Sequence, residues 1–129
     1  MSKNKNFNIV NSTKAKLPRL AFANMKEAVL SNSYILTLHI VTKAKIQKLN
    51  NQYRNINTPT DILSFPISKT EGEIFINLDE TKKESKKFER NFKNFLAFLF
   101  IHGLVHLKGY DHGSTMEKIE QSYRTKFNI

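Results

Sequence analysis

Residues Phe95 to Ile101 form an unbroken apolar run of seven residues. A bilayer span needs about 20, so this run is a buried segment and not a membrane one. Its flanks decide its form. Charged residues from Lys82 to Arg90 lead into it, and the pattern continues through Leu107 to a glycine at 109. The expectation is one helix from Lys82 to Leu107, stopped at Gly109 by a left-handed cap. Phe88, Phe92, Phe95 and Leu99 then make an inward stripe. A 129-residue chain wrapped around such a helix should be a single domain, 1–129. Chains near this size bury roughly two-thirds of their unfolded surface, enough for a real core.

The remaining elements follow from local signals. Phe7 to Val10 reads as a first strand. Leu17 to Leu30 reads as a helix with Pro18 in its first turn and Leu20, Ala21, Met25, Ala28 and Val29 on one face. Tyr34 to Val41 alternates and should be a strand. Thr42 suits the N-cap of a helix from Lys43 to about Tyr53, and Pro59 bars its continuation. Asp61–Ile67 and Glu73–Leu78 read as strands joined by a loop over 68–72, with Pro66 arguing for an edge position or a strand end. A last helix fits Ser114 to Phe127, capped by Ser114 or Thr115. The fold class expected is α+β, a four-stranded mixed sheet carrying helices.

Composition narrows the chemistry. Hydrophobic residues are 40% and charged residues 25%, with Gly 4 and Pro 3, which excludes disordered and collagen-like chains. Cysteine is absent, so any metal must be held by nitrogen and oxygen. The opening residues MSKNKNFNIV lack the apolar stretch of a signal peptide, and the expected location is the cytoplasm, with no membrane partner.

The net charge is +10, and it is uneven. Residues 1–60 hold ten Lys/Arg and one acid, whereas residues 61–129 hold eleven Lys/Arg and ten acids. A basic face attracts a polyanion such as nucleic acid. A lysine- and asparagine-rich composition gives the same total, and charge alone does not choose between the two. Lys43, Lys45 and Lys48 are expected on the approach of such a ligand, or simply on a solvated helix face.

Three of the four histidines fall within eleven residues: His102, His106 and His112. His102 and His106 stand at i and i+4, so a helix puts both rings on one face. Gly109 lets the chain turn back and brings His112 round as a third ligand. Three nitrogens leave one position of a tetrahedral ion open, the pattern of a catalytic zinc. Three imidazoles at the end of a buried helix are costly to satisfy without a shared partner. His39, in a strand, is most simply structural. The spacing is that of the metzincin zinc motif, but Gly103 stands where a metzincin has its catalytic Glu. A peptide hydrolase therefore lacks its base at that place.

His102-Gly103-Leu104-Val105-His106-Leu107-Lys108-Gly109-Tyr110-Asp111-His112 resembles the signature of the YbeY family of bacterial rRNA maturation factors. Leu49-Asn50, Tyr53-Arg54 and Pro59-Thr60-Asp61-Ile62-Leu63-Ser64-Phe65-Pro66 are similar to a second family block. Gly72-Glu73-Ile74 is similar to a third, which usually reads Gly-Asp-Ile. Met116 and Glu120 resemble the closing helix. The resemblance implies a single-strand-specific, metal-dependent endoribonuclease. It implies one Zn(2+) per chain on His102, His106 and His112, and Arg54 as a further catalytic residue. The implied partners are single-stranded RNA, rRNA, the small ribosomal subunit and ribosome-assembly GTPases. The metal cleft is expected between the long helix and an edge strand. An arginine there would pair with phosphate and stabilise charge in phosphoryl transfer. Asp111 suits either an acceptor for a ligand imidazole or a turn. Thr60, Asp61 and Ser64 suit either the cleft wall or plain capping. Two rival readings stand beside this one: a zinc hydrolase acting on peptides or small molecules, and a ribosome-assembly module with a structural metal.

Overall fold

The computed structural model describes residues 6–129. Part of the signal-peptide reading falls on residues 1–5, outside the described residues. The chain runs β1 (Phe7–Asn11), α1 (Phe22–Leu30), β2 (Ile35–Ile40), α2 (Lys43–Arg54), β3 (Ile62–Ser68), β4 (Glu71–Ile76), α3 (Leu78–Lys87), α4 (Phe92–Leu107) and α5 (Ser114–Lys126).

The sheet order is β1-β2-β4-β3. β1 and β4 lie parallel to β2, one on each side, and β3 lies antiparallel to β4, so the sheet is mixed as expected. β3 is an edge strand, and Pro66 sits in it beside a register shift between Pro66 and Ser68. A residue without an N–H is tolerated at such a place. The turn between β3 and β4 is tighter than the sequence suggested, because the strands reach Ser68 and Glu71.

Strand alternation sorts the core. Leu36, Leu38, Ile40, Ile74 and Ile76 face one way and pack against Phe22, Met25 and Val29 of α1 and Leu96, Phe100 and Leu104 of α4. Val41, Leu63 and Phe75 belong to a smaller cluster with Ile46 and Leu49 of α2. The apolar run is the buried helix it had to be: Phe95, Leu96, Ala97, Phe100 and Ile101 are all 1% exposed or less. Among the described residues no helix is long and apolar enough to cross a membrane.

Four element boundaries differ from the sequence reading. The expected helix from Lys82 to Leu107 is two helices. α3 ends with Glu89 in the left-handed region (φ 54°), where Glu89 N–H reaches Lys86 O at 3.3 Å and Arg90 N–H reaches Ser85 O at 3.0 Å. These two bonds satisfy the last carbonyls of α3. Asn91 then caps α4 by accepting from Asn94 N–H at 2.7 Å. Asn77 likewise caps α3, which therefore begins at Leu78 inside the stretch read as strand. The helix expected from Leu17 starts only at Phe22. Asn11 holds the preceding turn, accepting from Thr13 N–H at 2.9 Å and donating to Ala15 O at 2.8 Å. Leu17 and Leu20 pack on the core without being helical. At the last helix the N-cap is Gly113, which offers no side chain, in place of Ser114 or Thr115.

Candidate metal centre

The site is set by how α4 ends. Lys108 is the C-cap, and Gly109 follows with φ 113°, a conformation that strains a residue bearing Cβ. Gly109 N–H reaches His106 O at 3.0 Å and Tyr110 N–H reaches Val105 O at 3.4 Å. This is the paired bonding of a Schellman cap. It reverses the chain and returns His112 to the face of α4 that carries His102 and His106.

The three imidazoles converge. Each offers a ring nitrogen, and the three nitrogens lie within 4.8 Å of one another. His106 Nε2 and His112 Nε2 are 3.4 Å apart. A tetrahedral ion with bonds near 2.0–2.1 Å spaces its ligand nitrogens roughly 3.3 Å apart. The histidine pair already has that spacing, and small side-chain rotations close the rest. The donor set fits a divalent ion that favours imidazole, with a coordination position to spare. Burial is the main reason the His106 imidazolium is disfavoured, and the neighbouring His102 and His112 add to it. A neutral ring keeps its lone pair for a metal.

His102 is held from behind. Its Nδ1 lies 3.0 Å from Glu120 Oε2, and Glu120 is 4% exposed. A carboxylate accepts a hydrogen bond there, so Nδ1 donates its hydrogen and Nε2 is the free ligand atom. Glu120 Oε1 in turn accepts from the buried Arg124 guanidinium at 3.4 Å. Arg124 also donates to Glu117 and Gln121, each at 2.9 Å. A line of charge-assisted bonds thus runs from α5 into the site. Asp111, the candidate acceptor read from the sequence, is exposed, and the buried acceptor is Glu120.

The histidines open into a cleft of about 610 Å³ between α4 and the edge strand β3. Arg54, Thr60, Asp61 and Ser64 all line it, as does Tyr53, whose ring lies 4.9 Å from that of Phe65. Arg54 is exposed in the last turn of α2, just before Asn55 turns the chain at φ 61°. Burial pushes the Asp61 carboxyl up, and the charge of Glu84 adds to it against hydrogen bonds that pull it down. Gly103 explains itself in this setting. A Cβ there would lie 2.9 Å from Ser64 Oγ and 3.0 Å from Ile62 Cδ1. The glycine lets α4 close on β3, and a side chain at this position would have to displace the ends of Ser64, Ile62 and Ile74. Glu73 lies elsewhere, 3.0 Å from His39 Nε2 across β2 and β4. Lys43, Lys45 and Lys48 do not line the cleft, and Lys43 is 3.5 Å from Glu80.

These features match a known family. The model of that family, described as endoribonuclease YbeY, matches residues 2–127. The chain belongs to the YbeY endoribonuclease family. A YbeY endoribonuclease of Aliarcobacter butzleri is 37% identical over 108 residues, covering 79% of this chain and 76% of that protein. One from Bacillus velezensis is 33% identical over 122 residues, covering 83% and 77%. A Thermotoga maritima protein solved in solution shares the fold with a TM-score of 0.63 and 24% identity, covering 91% of this chain and 85% of that one. For a YbeY endoribonuclease the reaction is cleavage of an RNA phosphodiester, and the cleft has to be read against that chemistry.

The sequence reading missed Glu120 and Arg124 as support for the site. Their signal was present: Met116, Glu120 and Arg124 recur every four residues on α5, so an acid lies on the buried face. A buried acid needs partners, and both Arg124 one turn on and the histidine cluster are available.

Proposed function

We propose that this chain, acting as one domain, is a single-strand-specific, zinc-dependent endoribonuclease of small-subunit rRNA maturation and quality control. The observation that supports it is the convergence of His102, His106 and His112 in a cleft whose wall includes Arg54. The three imidazoles hold one zinc ion per chain. When bound, the ion would supply Lewis-acid chemistry, polarising a phosphate oxygen, activating a water, or both. Arg54 pairs with the scissile phosphate through two N–H donors and stabilises the charge that builds up in the transition state. Glu120 fixes the His102 tautomer. Thr60, Asp61 and Ser64 shape the wall along which the RNA lies. The nucleophile is the RNA 2′-hydroxyl or a water. A 2′,3′-cyclic phosphate end marks the first route and a 5′-phosphate end the second. The partners are single-stranded rRNA on the small ribosomal subunit and the GTPases of its assembly.

The test is elemental analysis of freshly purified protein, followed by cleavage of single-stranded and duplex RNA with and without a chelator. About one zinc per chain and cleavage of the single strand only are expected, with loss on chelation. Arg54→Ala should stay folded and keep its metal but cleave about 100- to 1,000-fold more slowly, the usual cost of a lost charge-stabilising donor. His106→Ala should lose the metal. Cleavage that survives complete chelation would remove the metal from the mechanism. A normal rRNA profile in cells carrying Arg54→Ala would favour an assembly module over an enzyme.

A further inference from the structure

A second cavity, of about 370 Å³, opens on the other side of the histidines. It shares Asp61, Ile62, His102 and His112 with the catalytic cleft, so the two adjoin at the metal centre. Its floor is aromatic. The rings of Phe95 and Phe98 are stacked, 5.5 Å apart and inclined by 15°. Phe88 stands over them, 5.1 Å from Phe95 and 5.9 Å from Phe98. Phe98 is already occupied, with the Arg90 and Arg124 guanidinium groups 4.5 and 4.9 Å from its ring centre. Among the described residues no cation sits over Phe88, and it is 53% exposed.

The position of Phe88 is built by the chain. It is the C-cap of α3, and the left-handed Glu89 after it turns the chain away into Asn91, the cap of α4. A continuous helix would have turned this ring inward. The break between α3 and α4 instead leaves a large apolar ring in water beside the reaction centre. Water does not favour that arrangement, whereas a flat apolar ligand does.

We infer that Phe88 is a stacking platform for an unpaired base of the RNA, adjacent to the scissile phosphate. This rests on the endoribonuclease reading. Two observations choose a base as the occupant. The cavity adjoins the site where the phosphodiester must lie, with His102 and His112 in the walls of both. Its rim carries Glu84 and Glu117, paired with Lys87 and Arg124 respectively, and the carboxylates of such a rim do not favour phosphate. A base lacks charge, has an apolar face, and offers N–H donors to carboxylate oxygens. The strand therefore crosses the histidines with its phosphate on the Arg54 side and one base turned onto Phe88. A base within a duplex is not free to do this, so the platform contributes to single-strand preference. Stacking on an aromatic face is tolerant of sequence.

The experiment uses the full chain and single-stranded RNA decamers carrying 2-aminopurine at one position at a time. Its fluorescence is quenched when the base stacks. Binding is read in the presence of a chelator, and kcat and KM are read with the metal-loaded enzyme. Quenching should peak at one position next to the cleavage site. Phe88→Leu keeps the apolar contact with Phe95 but has no ring face. It should abolish that peak and raise KM about tenfold, with kcat changed little. Phe88→Trp should restore both. Phe88→Ala is the second variant, with thermal unfolding to confirm its fold. Unchanged quenching and KM in a folded Phe88→Leu, while the wild type cleaves RNA, would overturn the platform and leave the endoribonuclease reading standing. A wild type that neither binds nor cleaves RNA would overturn both.

Discussion

At the scale of single residues, the carboxylate behind His102 carries more of the site than its position in sequence suggests. Glu120 is 4% exposed and divides its oxygens between His102 Nδ1 and Arg124. Glu120→Gln keeps the shape and removes the charge. It should weaken metal binding about 10- to 100-fold, the usual cost of losing a partner behind a ligand imidazole. Competition with a metal-sensitive dye measures this directly. Tyr34 makes a different point. Among the described residues its buried hydroxyl has no hydrogen-bond partner, and burial, aided by the charge of Glu71, pushes the phenol pKa up. Above pH 10 the unfolded chain ionises this phenol while the folded chain retains its proton. Stability then falls as pH rises, since the folded state binds the extra proton. Tyr34→Phe should raise stability by about 1 kcal/mol at neutral pH, and should blunt the alkaline loss. Denaturant titrations at pH 7 and pH 10.5 test both statements.

At the scale of elements, the histidine spacing was legible because it is local. A helix fixes i and i+4 on one face, and Gly109 announces the reversal that returns His112. Thr42 as a cap and Pro66 as an edge residue were legible for the same reason, since each acts on its own backbone. Two features were not. Leu17 and Leu20 have helical spacing, yet they are satisfied by packing on the core from an irregular segment tied down by Asn11. The break between α3 and α4 hides in a stretch rich in helix formers, where propensity favours continuity. The cue was Asn91, an N-cap residue four positions before the apolar run. Its side chain satisfies a donor that would otherwise be orphaned at the start of α4. Asn91→Ala should cost about 1 kcal/mol of stability. Because the same break positions Phe88, it should also weaken the base-dependent quenching without touching metal affinity. Unfolding curves and metal titrations on the one variant separate these effects.

At the scale of the whole molecule, the uneven charge acquires a structural meaning. In the later half acids and bases neutralise one another, as Lys83 and Lys87 do with Glu80 and Glu84. In the earlier half, among the described residues, Lys14, Lys16, Arg19, Lys45, Lys48 and Arg54 enter no ion pair. Their field is not cancelled by neighbours, so it acts on a polyanion at distances of order the Debye length, about 8–10 Å near physiological salt. Lys45 and Lys48 lie outside the cleft and contribute to capture of the strand and not to its chemistry. For single strands the logarithm of affinity falls with the logarithm of salt at about 0.7 per phosphate neutralised. The double variant Lys45→Glu, Lys48→Glu should therefore bind RNA more weakly at low salt and show a shallower salt slope. Its kcat at saturating RNA should match that of the wild type. Arg54→Ala should do the reverse, with kcat collapsing and the slope changing by less than about one phosphate. Equal loss of kcat in both variants would mean that the basic face and the cleft are not separate parts of the machine.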